Sequence, residues 1–149
     1  MSGLDPISVI IESNVSCAGM PQDCGNALPI LHEIRHALER LISTGEETRI
    51  DLNAMPFGPG DLDCLKALLG TGEVHATVEA MGLTLIQETA IPGVWLVDYQ
   101  NSDARRLTLQ IEIASVPEIL RPQPLDLAEA INTLDGRLTQ SASNRHHSS

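Results

Sequence analysis

His32-Glu33-Ile34-Arg35-His36 spells the pattern of a zinc hydrolase, with two imidazoles one helical turn apart and a glutamate beside the first. In such a site both histidines face a cleft, a third ligand completes the coordination, and the glutamate takes a proton from the metal-bound water. The surrounding residues argue against that geometry. Ile30, Ile34, Ala37, Leu38, Leu41 and Ile42 fall on one arc of a 3.6-residue wheel. That arc is centred near Ile34 and Leu38, so His32 and His36 are expected on the solvent side. No third ligand follows at a recognised spacing, and only Glu39 and His75 are at hand. The string reads as a solvated helix face, with a zinc-dependent hydrolase on His32, Glu33 and His36 as the alternative.

Cys17 and Cys24 precede the same histidines, giving a loose two-cysteine, two-histidine set. Six residues separate the cysteines, more than the roughly two to four of structural zinc sites. A metal-handling role for Cys17 and Cys24 is therefore an alternative to two plain loop thiols. Cys64 reads as partly buried packing, and three cysteines, an odd number, do not make a disulfide framework. No G-x-S-x-G turn is present, and Gly58-Pro59-Gly60 lacks the lysine and spacing of a phosphate loop. Asp61 and Asp63 straddle a helix start, where carboxylates are expected without any chemistry. These residues assign no catalytic, cofactor-binding or metal site.

The elements that would position such groups follow from periodicity and punctuation. Residues 1–27 read as a leader and loop, with a short apolar run at 7–11 that suits an edge strand. Asn26 is a plausible N-cap for a helix that carries Pro29 in its first turn and stops before Gly45. Ile50 and Leu52 belong to a short strand over residues 49–52. After the Pro- and Gly-rich turn at 55–60, Asp61 caps a short helix with Leu62, Leu65, Leu68 and Leu69, closed by Gly70. Four strands with short turns follow, which favours an antiparallel meander. The expected fold is α+β: a four-stranded antiparallel meander with helices packed on one face, plus a short additional strand. A single domain covers residues 28–138, ending in a helix with Leu127, Ala130, Ile131, Leu134 and Leu138 in register. Residues 139–149 read as a disordered tail.

Charge and composition exclude several functions. With 149 residues the chain suits one domain, and 42% hydrophobic content is ordinary for a globular protein. A formal charge of -11, with Lys66 as the single lysine, argues against nucleic acid or an anionic membrane as partner. No apolar run approaches the roughly 20 residues of a membrane span, and residues 1–6 lack the basic start of a signal peptide. The expected compartment is the cytoplasm.

Residues 87–99 are the centre of this layout. They hold the only tryptophan and the only tyrosine, and Pro92-Gly93 splits them into two extended runs. Residues 94–97 are apolar at every position, as in a strand covered on both faces or carrying an interaction surface. His75, Thr77, Glu79, Arg106, Thr108, Gln110 and Glu112 would form a polar face opposite the helices. One row of the central strand must share that face, and Trp95, Val97 and Tyr99 are expected there, because Val94 and Leu96 suit the core beside Leu109 and Ile111. An apolar strip rimmed by charge fits protein binding. The other reading is that the connector after the sheet, or the last helix, covers it.

Several strings resemble one known family. They are Leu31-His32-Glu33-Ile34-Arg35-His36-Ala37-Leu38, Ile50-Asp51-Leu52, Met55-Pro56-Phe57 and Leu69-Gly70-Thr71-Gly72-Glu73-Val74. Glu88-Thr89-Ala90-Ile91-Pro92-Gly93-Val94-Trp95 and Ile111-Glu112-Ile113-Ala114-Ser115-Val116-Pro117 continue the match. In order and spacing they resemble the nickel–iron hydrogenase expression/formation proteins of the HupH/HyaF type, chiefly their C-terminal domain. The resemblance covers roughly residues 28 to 121. It implies an accessory, chaperone-like role in hydrogenase maturation, with the iron–sulfur small subunit precursor and other maturation proteins as partners. It supplies no catalytic residues and no cofactor, so the expected protein is not an enzyme. The chain is shorter than such proteins, which fits association with itself or with a sister protein.

Overall fold

The structure is a computed structural model, and it describes residues 24–147. The edge strand expected at 7–11 and the thiol of Cys17 lie outside the described residues. The chain divides into two units, one ending at Ser115 and the other beginning at Val116.

The first unit opens with helix α1 (Leu28–Thr44), which has Pro29 in its first turn and buries Ile30, Ile34 and Ala37. Ala27 occupies the N-cap position without a side-chain bond. Asn26, the expected cap, instead donates its amide to Asp61 Oδ2 at 2.8 Å. Gly45 ends α1 with φ of +77°, a conformation that costs glycine little. Strand β1 (Thr48–Asp51) and a 3-10 turn (Leu52–Ala54) follow. Helix α2 (Asp61–Leu69) starts one residue after its N-cap, Gly60, so Asp61 is inside the helix rather than its cap.

Strands β2 (His75–Glu79), β3 (Leu83–Glu88), β4 (Val94–Gln100) and β5 (Arg106–Ile113) complete the sheet. Its order is β1-β5-β4-β3-β2 and every pairing is antiparallel. The sheet therefore has five strands, not four. β1 does not stand apart from the meander but pairs with β5, Ile50 opposite Ile111, and so supplies the ladder that β5 would otherwise expose. β4 is the middle strand.

One core joins the helices to one face of the sheet. Ile30, Ile34 and Ala37 of α1, and Cys64, Leu65 and Leu69 of α2, pack with Ile50, Val94, Leu109, Ile111 and Ile113. Strands β2 and β3 contribute no residue to this cluster. Cys24 and Cys64 form a disulfide that ties the entry of α1 to α2. This corrects the reading of both as unpaired: a sequence separation of 40 hides a pair that only the helix packing brings together.

The second unit holds a 3-10 turn (Glu118–Leu120) and helix α3 (Pro124–His147). The tail expected to be disordered from residue 139 is helical to His147. Nothing after Gly136 breaks a helix, and Gln140, Ala142 and Arg145 favour one.

Candidate partner-binding groove

Cross-strand register decides which side chains share a face. His75 lies opposite Gln87, Gln87 opposite Leu96, and Leu96 opposite Ile111. His75, Thr77 and Glu79 therefore lie on the helix side of the sheet, not on the far side with Thr108, Gln110 and Glu112. Alternation along one strand gives two rows but does not say which row meets the helices. That sense passes from strand to strand through turns whose geometry the sequence leaves open.

Because the core stops at β4, the helix side over β3 and β2 is left open by the described residues of the first unit. There a groove of ≈ 370 Å³ runs between the end of α2 and the outer strands. Leu85, Leu96 and Leu109 supply apolar surface, and Lys66, His75, Thr77 and Gln87 supply polar groups. Leu85 is 37% exposed, a large apolar side chain left partly uncovered. Asp98 also lines the groove, and its charge is matched locally: Arg106 donates Nε at 3.0 Å and Nη2 at 2.9 Å to its two oxygens. Hydrogen bonding to Asp98 holds the Arg106 guanidinium pKa above its ordinary value. The bulge at Tyr99/Gln100 brings Arg106 into that register. Lys66, the single lysine of a chain carrying -11, is thus the groove's positive group not matched in this way.

The row Trp95, Val97 and Tyr99 does lie opposite the helices, as alternation requires, but it is not an open strip. Trp95 is 6% and Val97 0% exposed, with Ile86 buried beside them; Tyr99 alone is partly exposed. The indole N–H of Trp95 is satisfied by the Ala114 carbonyl. Val94 on the helix side and Trp95 and Val97 on the far side are all buried, so the assumption that the far side of the central strand is wet fails.

His32 and His36 are exposed on α1, as the wheel indicates. His36 Nδ1 lies 3.4 Å from Glu39 Oε1, and Arg35 Nη1 lies 3.3 Å from the same oxygen. These are contacts along one solvated helix face. Among the described residues no group of three or more His, Cys, Asp or Glu side chains could hold a metal ion. Cys24 is engaged in its disulfide and Cys17 lies outside the described residues.

A second polar cluster is structural. Asp61 Oδ2 accepts from Asn26 Nδ2 at 2.8 Å and from the Gly58 N–H at 2.6 Å. The Asn26 hydrogen bond, then that of Gly58, hold its carboxyl below the ordinary carboxylate range. The carboxylate thereby joins the loop before α2 to the start of α1, close to the Cys24–Cys64 bond.

Sequence reasoning missed the groove. The legible signal was β3, where Leu83 and Leu85 lie in one row.

No helix of the described residues is long and apolar enough to cross a membrane. The C-terminal conserved region of the HupH hydrogenase expression protein matches residues 24–141. The chain is 32% identical over 120 residues to the hydrogenase expression/formation protein HoxQ of Azotobacter vinelandii, covering 77% of this chain and 41% of that one. It is 32% identical over 81 residues to HupH of Rhodobacter capsulatus, covering 54% and 30%. A solved structure of the hydrogenase expression protein HupH from Thiobacillus denitrificans ATCC 25259 superimposes with a TM-score of 0.74 at 44% identity, over 78% of this chain and 97% of that one. The chain thus spans about two fifths of the length of the HoxQ relative. The five-stranded α+β fold and the match through residues 24–141 together place this chain in the HupH family of hydrogenase expression/formation proteins, within its C-terminal conserved region.

Proposed function

We propose that this protein is a non-enzymatic, chaperone-like accessory factor of nickel–iron hydrogenase maturation that holds the iron–sulfur small subunit precursor before assembly. The observation that carries this reading is the family match over residues 24–141. The work is assigned to the cytoplasm, where a precursor is made.

The groove beside α2 is the proposed contact. Its apolar floor at Leu85 and Leu96 suits an apolar side chain of the client, and Lys66 suits a neighbouring carboxylate. β2 is the edge of the sheet, and an extended client segment can add to such an edge through main-chain hydrogen bonds. Leu85 is the expected anchor, because large side chains in desolvated pockets dominate binding energy. Of the row Trp95, Val97 and Tyr99, only Tyr99 has surface left for a partner.

Affinity purification of the tagged chain from cells expressing the hydrogenase structural subunits tests the role. The small subunit precursor should be enriched with it. Recovery of the large subunit alone, or of neither, contradicts the assignment.

A further inference from the structure

Helix α3 (Pro124–His147) carries an apolar stripe that nothing in its own unit covers among the described residues. Leu127, Ile131, Leu134 and Leu138 are between 55% and 67% exposed, and the helix is exposed along all its described side chains. An isolated helix with Gly136 inside it and four Ser or Thr residues is marginal in water, and most helical stability in proteins comes from packing an apolar face. The stripe therefore needs a counterpart. Its spacing of four, three and four residues is that of the seam positions of a heptad.

We propose that α3 pairs antiparallel with α3 of a second copy of this chain. The stripe is self-complementary in that orientation. A two-fold axis crossing midway between Ile131 and Leu134 sets Ile131 against Leu134 of the second copy, and Leu127 against its Leu138. A two-fold contact of this kind uses the same patch on both copies and closes on itself. The seam is flanked on its N-terminal side by Ala128 and Ala130, which let the two backbones approach. Asp135 and Arg137, the flanking residues on the C-terminal side, then lie over those alanines.

Charge favours the same orientation. The N-terminal half of α3 carries Asp126 and Glu129, and the C-terminal half carries Arg137 and Arg145; Asp135, next to the axis, is the exception. Antiparallel pairing lays acidic halves beside basic halves and opposes the two helix dipoles, whereas parallel pairing sets like beside like. Four seam side chains per helix make less than a standard interface of roughly 800 Å² per partner. The expected dimer is accordingly reversible, and α3 gains helicity as it forms.

Sedimentation equilibrium of the full chain over a concentration series tests the pairing. The wild type should shift from monomer to dimer as concentration rises, with far-UV helicity rising in parallel. Ile131→Asp/Leu134→Asp should weaken the dimer by at least about a hundredfold, since a charge buried in the seam costs more than two tenfold steps. Its sheet unit should melt unchanged. Spin labels at Gln140→Cys, in a Cys17→Ser background, should lie about 22 Å apart along the axis, from fifteen residues at 1.5 Å each. A wild type that stays monomeric throughout overturns the proposal. So does a dimer that survives the double substitution, or labels separated by only a helix width as in a parallel pair. Protection of α3 by the hydrogenase small subunit alone, with no dimer, assigns the stripe to that partner and also overturns it.

Discussion

The indole N–H of Trp95 donates to the Ala114 carbonyl oxygen at 3.1 Å, in a buried position. The bond spans from the start of β4 to the residue after β5, and the Ala114 N–H donates to the Gly93 carbonyl at 3.0 Å beside it. Trp95 is thereby part of the sheet's framework. Its fluorescence is expected to be blue-shifted and protected from soluble quenchers. Trp95→Ala should destabilise the first unit by roughly 3–5 kcal/mol, the range for a large buried aromatic, read as a lower denaturant midpoint. Solvent-like emission contradicts the burial.

Gly93 has φ of +85°, in the left-handed region that β-branched residues avoid. A β-carbon there would find ordinary contact, 3.5 Å from Leu38 Cδ2, so the strain lies in the backbone. Gly93→Val should cost about 1 kcal/mol or more and Gly93→Asn less. Thermal melts of the two variants check the order.

Asp61 gives the fold an acid-sensitive point. Its folded pKa is lowered, so its contribution is fully present above the unfolded value of about 3.9. It is lost as pH falls through the lower folded value. Stability should therefore decline below about pH 4, and Asp61→Asn should flatten that decline while lowering stability at neutral pH. Urea midpoints measured between acid and neutral pH distinguish this from a pH-independent effect.

The Cys24–Cys64 bond closes a loop with a sequence separation of 40. Chain entropy then gives a stabilisation of roughly 2–4 kcal/mol. Cys24→Ser should lower the denaturant midpoint accordingly, and reductant should have little further effect on that variant. Thiol labelling of unreduced, unfolded wild type should find one free cysteine, Cys17. Three would contradict the bond.

The legible part of the fold was whatever local periodicity writes down. The α1 wheel put Ile34 in the core and His32 and His36 in solvent, and the apolar run at 94–97 marked the central strand. Register was illegible, because the face that His75 takes depends on how two turns carry the pleat from β2 to β4. For the same reason the groove at Leu85 and Lys66 could not be assembled from the sequence. The disulfide needed the packing of α1 against α2, and the burial of Trp95 needed knowledge that the far side of β4 is not wet. The groove and the helical end of α3 belong to the structure alone.

The proposed role is capture of the hydrogenase small subunit precursor, with the groove beside α2 as the proposed contact. The most direct measurement is the affinity of the purified precursor for the wild type and for Leu85→Ser, by titration calorimetry. Leu85 is partly exposed, so the variant should keep its melting temperature within a few degrees, as surface changes of about 0.5 kcal/mol do. Binding should weaken by at least about tenfold, the loss of one apolar anchor. Equal affinities for wild type and variant, or no binding by the wild type, would contradict the account.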